Sequence, residues 1–395
     1  MNVSNRKKIA FINQRYGLEV NGGSEYYTRI IAEHLTDIYE VHVITTKALD
    51  YMTWEDSYSA DEEVINGVTV HRFSVDRPRK MKDFNKINGY ILDHPDHTKE
   101  EEQQWVDEQG PLSTTLIDYI QAHADDYDVF LFVTYLYYTT SKGLPKVADK
   151  SILIPTAHDE TYIYFKIFED IFRLPQAIVF LTDEEKQFVQ TKFQNKDVLN
   201  DIMAVGIDVP ANIDADKIKR ERNITNYIIY VGRIDEGKNC HILFRYFQEY
   251  KKRNPGDLKL ILMGKNVISI PKHPDIISLG FVSEEEKYNG IAGAKALILP
   301  SQYESLSISV LEALSIETPI IVNGVCEVLK GHCIKSDAGL YYRNYFEFEG
   351  CINYILQNKE NALIMGSNGK KYVEQNYTWD VIISKFKKMI DTVSS

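Results

Sequence analysis

Short runs of Ile, Val, Leu and Phe recur along the chain, and amphipathic stretches of helical period separate them. Such apolar runs are typical of strands in a sheet that is covered on both faces, and strands that alternate with helices predict parallel sheets. The first half contains the predicted strands KIAFIN, VHVITT, VTVHRF, DVFLFVT, SILIPT and AIVFLT. The second half contains NYIIYVG, LKLILMG, IISLGFV, KALILP and PIIVNG.

The periodic pattern is interrupted near residues 205–220, where VGIDVPANIDADKIKRERN is polar and aperiodic. This break predicts two doubly wound α/β domains, and a chain of 395 residues is long enough for two cores of ordinary size. We assign residues 1–207 to the first domain and residues 208–376 to the second. The last stretch, residues 377–395, has the spacing of an amphipathic helix.

Residues 74–112 show no regular pattern, and we expect an irregular segment there. Its basic residues are Arg77, Arg79, Lys80, Lys82 and Lys86. A long irregular segment within a compact domain is commonly either functional or disordered. Three interpretations stay open for this segment: a lid on the acceptor side, a contact with a partner or a membrane surface, and a segment without a role.

Charge is unevenly distributed along the chain, whose net charge is −12. Residues 1–210 contain 21 Lys and Arg against 35 Asp and Glu, whereas the remainder contains 24 against 22. A nucleic-acid-binding protein is expected to show a basic face, so we expect no nucleic-acid partner. The less acidic second half is compatible with an anionic ligand, although chance variation among surface charges explains the difference equally well.

Three further features concern the cellular compartment. No stretch approaches the roughly 18 consecutive apolar residues of a membrane-spanning helix. The N-terminus, MNVSNRKKIAFIN, has only a short apolar run, which predicts a first strand and not a secretion signal. The cysteines lack C-x-x-C spacing, which predicts free thiols in a reducing cytosol and no structural zinc. We therefore expect a cytoplasmic protein.

Two charged motifs follow predicted strands of the second half. The strand NYIIYVG is followed by Arg233, and Lys238 comes five residues later. The strand KALILP is followed by Glu304, and Glu312 comes after seven intervening residues. Open α/β sheets bind ligands beyond the carboxyl ends of their strands. Since guanidinium and ammonium groups suit a pyrophosphate and carboxylates suit sugar hydroxyls, the motifs predict a nucleotide-sugar site.

The spacing G-R-x4-K followed by E-x7-E resembles the C-terminal half of the retaining glycosyltransferases of family 4. Further stretches resemble other motifs of that family in the same order: NGGS at 21–24, TAHD at 156–159, VGID at 205–208, LGFV at 279–282 and ETP at 317–319. Each motif alone is weak, and the strength of the resemblance lies in their order over nearly the whole chain. It implies the GT-B fold, in which two Rossmann-like domains face each other across a cleft and the last helix crosses back to the first domain.

The resemblance also implies roles for particular residues. Arg233 and Lys238 would stabilise the leaving pyrophosphate, Glu304 would bond the donor sugar and Glu312 the ribose. His158 would bond the donor sugar near the reacting carbon. The implied catalytic residues are His158, Arg233, Lys238 and Glu304, and the implied donor-binding residues are Gly22, Gly23, Arg233, Lys238, Glu304, Ser305, Leu306, Ser307 and Glu312.

One departure from the family lies in the loop before the predicted helix at residues 305–314. Ser307 stands where the family usually has glycine, so a side chain is added where the backbone is expected to approach phosphate. Two polar stretches, residues 93–97 and 125–128, contain groups that bind metals elsewhere, but we interpret both as solvated turns. We therefore expect neither a catalytic metal nor a cofactor.

The predicted function is that of a retaining, metal-independent glycosyltransferase. The resemblance implies a nucleotide-sugar donor, with UDP as the first choice and GDP as the second, bound by the second domain. The first domain would bind a saccharide, lipid-linked or protein-linked acceptor. The reaction would serve polysaccharide or glycoconjugate biosynthesis, and a peripheral contact with the inner membrane face is compatible with it. The alternatives are a non-catalytic sugar-nucleotide-binding subunit of a glycosylation complex, and an epimerase or phosphorylase. No G-x-G-x-x-G follows a strand, which disfavours a dinucleotide oxidoreductase.

Overall fold

The computed structural model describes residues 6–20 and 22–395, so Asn21 of the predicted glycine loop lies outside the described residues. The chain forms two compact units, one made of Met1–Val205 with Ile382–Ser395 and the other of Gly206–Val381. The acceptor and donor roles that we assigned to residues 1–207 and 208–376 stay predictions.

The first unit is built on an eight-stranded sheet. Its strands are β1 (Lys8–Ile12), β2 (Glu40–Thr46), β3 (Glu62–Ile65), β4 (Val68–Phe73), β5 (Val129–Val133), β6 (Ser151–Ile154), β7 (Ala177–Phe180) and β8 (Leu199–Ile202). Their order is β3-β4-β2-β1-β5-β6-β7-β8, and among the described strands only β3 and β4 pair in antiparallel fashion. The six strands predicted in this half are confirmed, and the strand order reverses between β1 and β5, which makes the sheet doubly wound.

Helices cover this sheet. They are α1 (Gly23–Leu35), α2 (Met81–Asp93), α3 (Lys99–Gln109), α4 (Thr114–Ala122), α5 (Tyr138–Gly143) and α6 (Asp183–Phe193). Because α2 and α3 occupy most of residues 74–112, the expectation of an irregular segment was wrong. Ile87 and Ile91 are buried one turn apart on α2, and Thr98 opens α3 with a capping box to Glu101. These helical signals lie within a polar stretch whose overall composition obscures them.

The second unit is built on a six-stranded, fully parallel sheet. Its strands are β9 (Tyr227–Val231), β10 (Lys259–Met263), β11 (Ile276–Gly280), β12 (Leu297–Leu299), β13 (Ile320–Asn323) and β14 (Gly339–Tyr342). The helices are α7 (Lys217–Arg222), α8 (Cys240–Arg253), α9 (Glu284–Gly293), α10 (Ile308–Ser315), α11 (Glu327–Ser336), α12 (Tyr345–Gln357) and α13 (Lys359–Asn376). The strand order is β11-β10-β9-β12-β13-β14. It reverses between β9 and β12, so a switch point lies beyond their carboxyl ends, where ligands bind in such sheets.

The last helix, α14 (Trp379–Val393), joins the first unit from Ile382 onward, as the resemblance implies. Lys385, near the middle of this helix, anchors it, because its Nζ donates to the Ile202 carbonyl oxygen at 2.8 Å. Its apolar side buries Phe386 and Ile390. The four cysteines are free and buried. In the part of the chain that the structure describes, no helix has both the length and the apolarity needed to span a bilayer.

Candidate functional site

The loop after β9 carries the first charged motif. Gly232 has φ 148°, in the region that favours glycine, and its carbonyl oxygen lies against Gly264. The Arg233 guanidinium pairs with the carboxylate of Asp235, which also accepts the backbone N–H of Lys238 at 2.7 Å. Asp235 therefore fixes both the Arg233 side chain and the turn that presents Lys238. Sequence reasoning missed Asp235, although it lies between the two predicted cations.

An ion pair joins the loops after β9 and β12. Lys238 Nζ lies 2.5 Å from Glu304 Oε1, and the two residues lie on either side of the switch point. The turn after β12 is held in place by two amides, since Asn239 and Asn323 both donate to the carbonyl oxygen of Pro300, at 3.2 and 3.0 Å. The structure thus brings together Lys238 and Glu304, which the sequence could only place at the ends of two different strands.

Glu312 lies inside the unit on α10, and its carboxylate is buried. Its Oε1 is 2.7 Å from Nζ of Lys287 on α9. Burial raises the pKa of the Glu312 carboxyl above its ordinary value, and the Lys287 ammonium holds that rise back. Burial alone would lower the pKa of Lys287, but the carboxylates of Glu312 and Glu284 outweigh it and raise that pKa. Sequence reasoning missed Lys287 because no local spacing links it to Glu312.

The segment between Glu304 and α10 differs from its prediction. We predicted a helix over residues 305–314, but α10 begins at Ile308. Ser307 adopts φ 68° and ψ 82°, a left-handed conformation that ends any helical hydrogen-bonding pattern before it. Leu306 is buried, and its carbonyl oxygen accepts a hydrogen bond from Nε2 of His332 at 2.8 Å.

Gly22 directly precedes α1 and Gly23 is its first residue, and only one of the two is closely packed. A Cβ on Gly22 would collide with the Glu25 carboxylate, whereas a Cβ on Gly23 would meet open space. Glu25 is itself buried and paired with Arg15, with 2.5 Å between Nη2 and Oε1. Packing against this buried ion pair is therefore a sufficient reason for a glycine at position 22.

His158 follows β6 and is oriented by a neighbouring carboxylate. Its Nε2 lies 3.4 Å from Oε2 of Glu160, whose other oxygen accepts a hydrogen bond from the buried Tyr135 hydroxyl at 2.8 Å. Tyr135 and Glu160 thereby restrict the position of the imidazole. The role of His158 toward a donor sugar stays a prediction.

A buried glutamate holds the backbone beside His158. Glu185 accepts the backbone N–H groups of Ala157 and Leu181, each at 2.6 Å, and so ties the ends of β6 and β7 together. Burial raises the pKa of Glu185 to about 8, against the opposing effect of these backbone hydrogen bonds. Sequence reasoning missed Glu185, whose one local signal is the cap that Thr182 provides to its backbone N–H.

The helices α2 and α3 contact the segment that follows His158. Glu102 is buried and accepts the backbone N–H groups of Lys166 and Ile167 at 3.1 and 2.9 Å. Trp105 stacks on Tyr162 with 4.6 Å between the ring centroids. The inserted pair of helices is therefore built into the wall beside His158.

Arg79 does not belong to an exposed basic surface, contrary to its grouping in the sequence analysis. It is buried and donates to the backbone carbonyl oxygens of Tyr51 and Met52. Arg77 is paired with Glu108 at 2.8 Å. The remaining members of the predicted cluster are exposed, and they are Lys80, Lys82 and Lys86.

The two polar stretches that we interpreted as turns lie outside the elements named above, except for Asp93, which is the last residue of α2. Residues 93–97 connect α2 to α3, and within them His97 Nε2 lies 3.0 Å from the Glu102 carboxylate. Across residues 6–20 and 22–395, no three His, Cys, Asp or Glu side chains are grouped so that they could hold a metal ion.

Two units, each with a doubly wound parallel sheet, define the GT-B class of fold, and solved structures confirm this. Over nearly the whole chain the protein is similar to a sucrose-phosphate synthase from Thermosynechococcus elongatus, with a TM-score of 0.72, 16% identity, and coverage of 98% of this chain and 99% of that one. It is also similar to HepE of Anabaena in complex with UDP-glucose, with a TM-score of 0.68, 14% identity, and coverage of 98% and 99%. At sequence identities this low, the structural similarity establishes the fold and nothing further.

Sequence comparison shows that the second unit is similar to known glycosyltransferases. Residues 213–372 match the family model of glycosyl transferases group 1, and this segment includes the ion pair of Lys238 with Glu304. The chain is 25% identical over 167 residues to an uncharacterized glycosyltransferase of Methanocaldococcus jannaschii. That match covers 39% of this chain and 42% of the relative, so it spans less than half of either protein.

Proposed function

We propose that this protein is a glycosyltransferase whose second unit binds a nucleotide sugar. The observation that carries the proposal is the meeting of Lys238 and Glu304 at the switch point between β9 and β12, with Arg233 in the same loop. Support comes from the match of residues 213–372 to glycosyl transferases group 1 and from the similarity to HepE, whose structure was solved in complex with UDP-glucose. We propose UDP as the first candidate nucleotide and GDP as the second.

The charges at this site suit the departure of a nucleoside diphosphate. As the bond between the sugar and the phosphate breaks, negative charge accumulates on the pyrophosphate, and preorganised cations lower the barrier to that step. Arg233 and Lys238 would supply these cations, and Glu304 would accept hydrogen bonds from sugar hydroxyls. Because Lys238 already holds Glu304, donor binding brings the phosphate and the sugar to adjacent groups.

A buried hydroxyl adds to the polar groups near the same strand end. Ser301 follows Pro300 at the end of β12 and is fully buried. Its Oγ has no hydrogen-bond partner among the residues that the structure describes. Since a buried hydroxyl normally finds a partner, this group is a candidate to bond an oxygen of the donor.

We further propose that transfer retains the configuration at the anomeric carbon and proceeds without a metal. The acceptor oxygen forms a bond to that carbon on the face from which the phosphate oxygen departs. The acceptor proton passes to the departing phosphate oxygen, so charge and atoms balance without a protein nucleophile. The acceptor would be a saccharide or a lipid-linked or protein-linked molecule bound by the first unit, in polysaccharide or glycoconjugate biosynthesis.

The proposal is tested first by binding and then by turnover. Unfolding temperatures are measured with UDP-, GDP- and ADP-sugars, because a ligand that binds the folded state raises stability by RT ln(1 + [L]/Kd). The donor that binds is then incubated with candidate acceptors, with and without EDTA, and nucleotide release is measured. We expect release that depends on the acceptor and survives EDTA. Binding without acceptor-dependent release would favour the non-catalytic subunit, and absence of binding to all three donors would overturn the proposal.

A further inference from the structure

His332 on α11 connects the loop before α10 to the end of α13. It is fully buried, and its Nε2 lies 2.8 Å from the carbonyl oxygen of Leu306. Its Nδ1 lies 3.2 Å from the hydroxyl of Tyr372, which lies 2.9 Å from the hydroxyl of Tyr377. A residue far along the chain thus holds the backbone of the loop that also contains Glu304.

The direction of each hydrogen bond in this series, from Leu306 through His332 to the two tyrosines, follows from the Leu306 carbonyl group. The Leu306 carbonyl oxygen can only accept, so Nε2 of His332 carries the proton and Nδ1 must accept one from Tyr372. Burial lowers the pKa of His332 to about 4, so the imidazole is neutral at pH 7 and a single tautomer serves both bonds. Because the Tyr372 hydroxyl donates to His332, its oxygen accepts the hydrogen bond from the hydroxyl of Tyr377.

Fixing the Leu306 carbonyl also fixes the direction of the next backbone N–H. In a trans peptide the C=O and N–H groups point to opposite sides. With its oxygen turned toward His332, the Leu306–Ser307 peptide directs the Ser307 N–H away from α11. Ser307 has φ 68°, and a left-handed serine persists only where its surroundings enforce that conformation.

We propose that His332 is a positioning residue for the donor: it holds the Leu306–Ser307 peptide so that the Ser307 N–H and the first turn of α10 face the donor pyrophosphate. This inference rests on the proposed function, because it assigns that ligand to the loop. The bond to Leu306 selects one orientation of a strained peptide, and loss of the bond lets the peptide turn. The loop would then keep its sequence but present the Leu306 carbonyl oxygen, which repels phosphate.

The experiment compares three variants by calorimetric titration with UDP, or with GDP or ADP where that nucleotide binds the wild type. His332→Leu removes the donor to Leu306, whereas His332→Gln places an amide N–H near the position of Nε2. Tyr227→Phe is the matched control, since its hydroxyl donates to the buried carbonyl oxygen of Gly290 at 2.8 Å. Tyr227 begins β9 and so lies at the amino end of the strands, away from the switch point.

We expect His332→Leu to weaken nucleoside diphosphate binding by about tenfold or more, the effect of about one hydrogen bond to a charged group. His332→Gln should stay within about threefold of the wild type, and Tyr227→Phe should lower thermal stability without changing the Kd. If His332→Leu does not fold, Tyr372→Phe takes its place, since it removes the partner of Nδ1 and leaves the ring free to turn. We then expect nucleoside diphosphate binding to weaken by about three- to tenfold relative to the wild type.

Two results would overturn the inference in distinguishable ways. A wild-type protein that binds a nucleoside diphosphate, with His332→Leu or Tyr372→Phe changing its Kd no more than Tyr227→Phe does, would leave the proposed function standing and assign His332 to stability alone. A wild-type protein that binds none of UDP, GDP and ADP would remove the proposed function, and this inference with it.

Discussion

Lys238 and Glu304 are 66 residues apart in the chain, yet Nζ of one lies 2.5 Å from Oε1 of the other. The contact joins the loops on the two sides of the switch point, so each side chain sets the position of the other. A cation for phosphate and a carboxylate for hydroxyls are thereby presented together. This relationship motivates the first prediction.

Lys238→Ala and Arg233→Ala should each lower kcat/KM for sugar transfer by about 10²–10³-fold, the usual loss when one charge-stabilising group is removed. Steady-state kinetics with the donor identified by thermal shift measures the effect. Lys252→Ala is a matched control, because Lys252 is an exposed lysine of α8 that pairs only loosely with Glu249, at 3.3 Å. Rates within twofold of the wild type for both variants would remove the pyrophosphate assignment.

Ser307→Gly should raise the free energy of unfolding by about 1 kcal/mol, because glycine adopts φ 68° without the cost that a Cβ imposes there. Denaturant unfolding of the two proteins gives the difference. Ser305→Gly is the control, since Ser305 is not in the left-handed region and glycine there should destabilise slightly. A loss of stability in Ser307→Gly would mean that the serine side chain contributes more than its backbone strain costs.

Lys287→Met should make nucleotide binding depend on pH. Without its ammonium partner the buried carboxyl of Glu312 has a pKa raised still further, so it takes up a proton and loses one acceptor for ribose hydroxyls. Binding should weaken as the pH is lowered across the range in which this variant stays folded, and it should stay nearly constant in Lys287→Arg. Titration of UDP across that range provides the measurement. Lys217→Met, which breaks a loose ion pair with Glu285 at 3.9 Å, is the control.

The folded protein should lose stability in mild acid because of two buried histidines. Burial lowers the pKa of His42, and likewise of His332, to about 4, below the ordinary value of about 6.5. As the pH falls below 6.5, the unfolded chain takes up protons that the folded units refuse. The stabilisation is therefore fully present above about 6.5 and is lost progressively between there and about 4.

The measurement for this acid effect is urea unfolding between pH 8 and 4.5, followed by hydrogen exchange so that each unit is observed separately. His332→Gln should flatten the pH dependence of the second unit, by up to about 3 kcal/mol at the acid end. His241→Gln changes an exposed histidine of α8 and serves as the control. A second unit whose pH dependence is the same in His332→Gln and in the wild type would contradict the prediction.

The parts of the fold that the sequence predicts are those with local signals. Most of the eleven predicted strands are apolar runs, as strands buried on both faces require, whereas the edge strands β3, β8 and β14 were not predicted. β3 and β8 contain polar residues, and β14 is a four-residue strand that begins with glycine. The insertion was misread because α3 carries only two apolar residues, Trp105 and Val106, among many charged ones, and because lysines and aspartates interrupt the apolar positions of α2. The two buried isoleucines of α2 and the cap at Thr98 are enough to form the two helices once α2 and α3 pack against each other.

The same distinction between local and long-range signals applies to the residues of the candidate site. Arg233, Lys238, Glu304 and Glu312 follow from motif spacing and strand ends. Their partners do not, because Lys287 reaches Glu312 across 25 residues and no short pattern encodes such a pairing. Long-range partners depend on how helices pack on the sheet, and a single sequence does not display that packing.

Three exposed lysines at the start of α2 and within it, Lys80, Lys82 and Lys86, should attract an anionic acceptor or an anionic lipid carrier. Replacing all three by Gln should raise the acceptor KM several-fold while leaving the Kd for the donor unchanged, and the difference from the wild type should shrink as salt screens the charges. Lys146, Lys196 and Lys387 are exposed lysines of the same unit outside residues 74–112, and their triple replacement is the matched control. Kinetics with a phosphate-bearing acceptor at about 50 and 500 mM salt tests the prediction across a wide range of screening. A fall in donor affinity with an unchanged acceptor KM would place these lysines on the donor side and contradict the assignment.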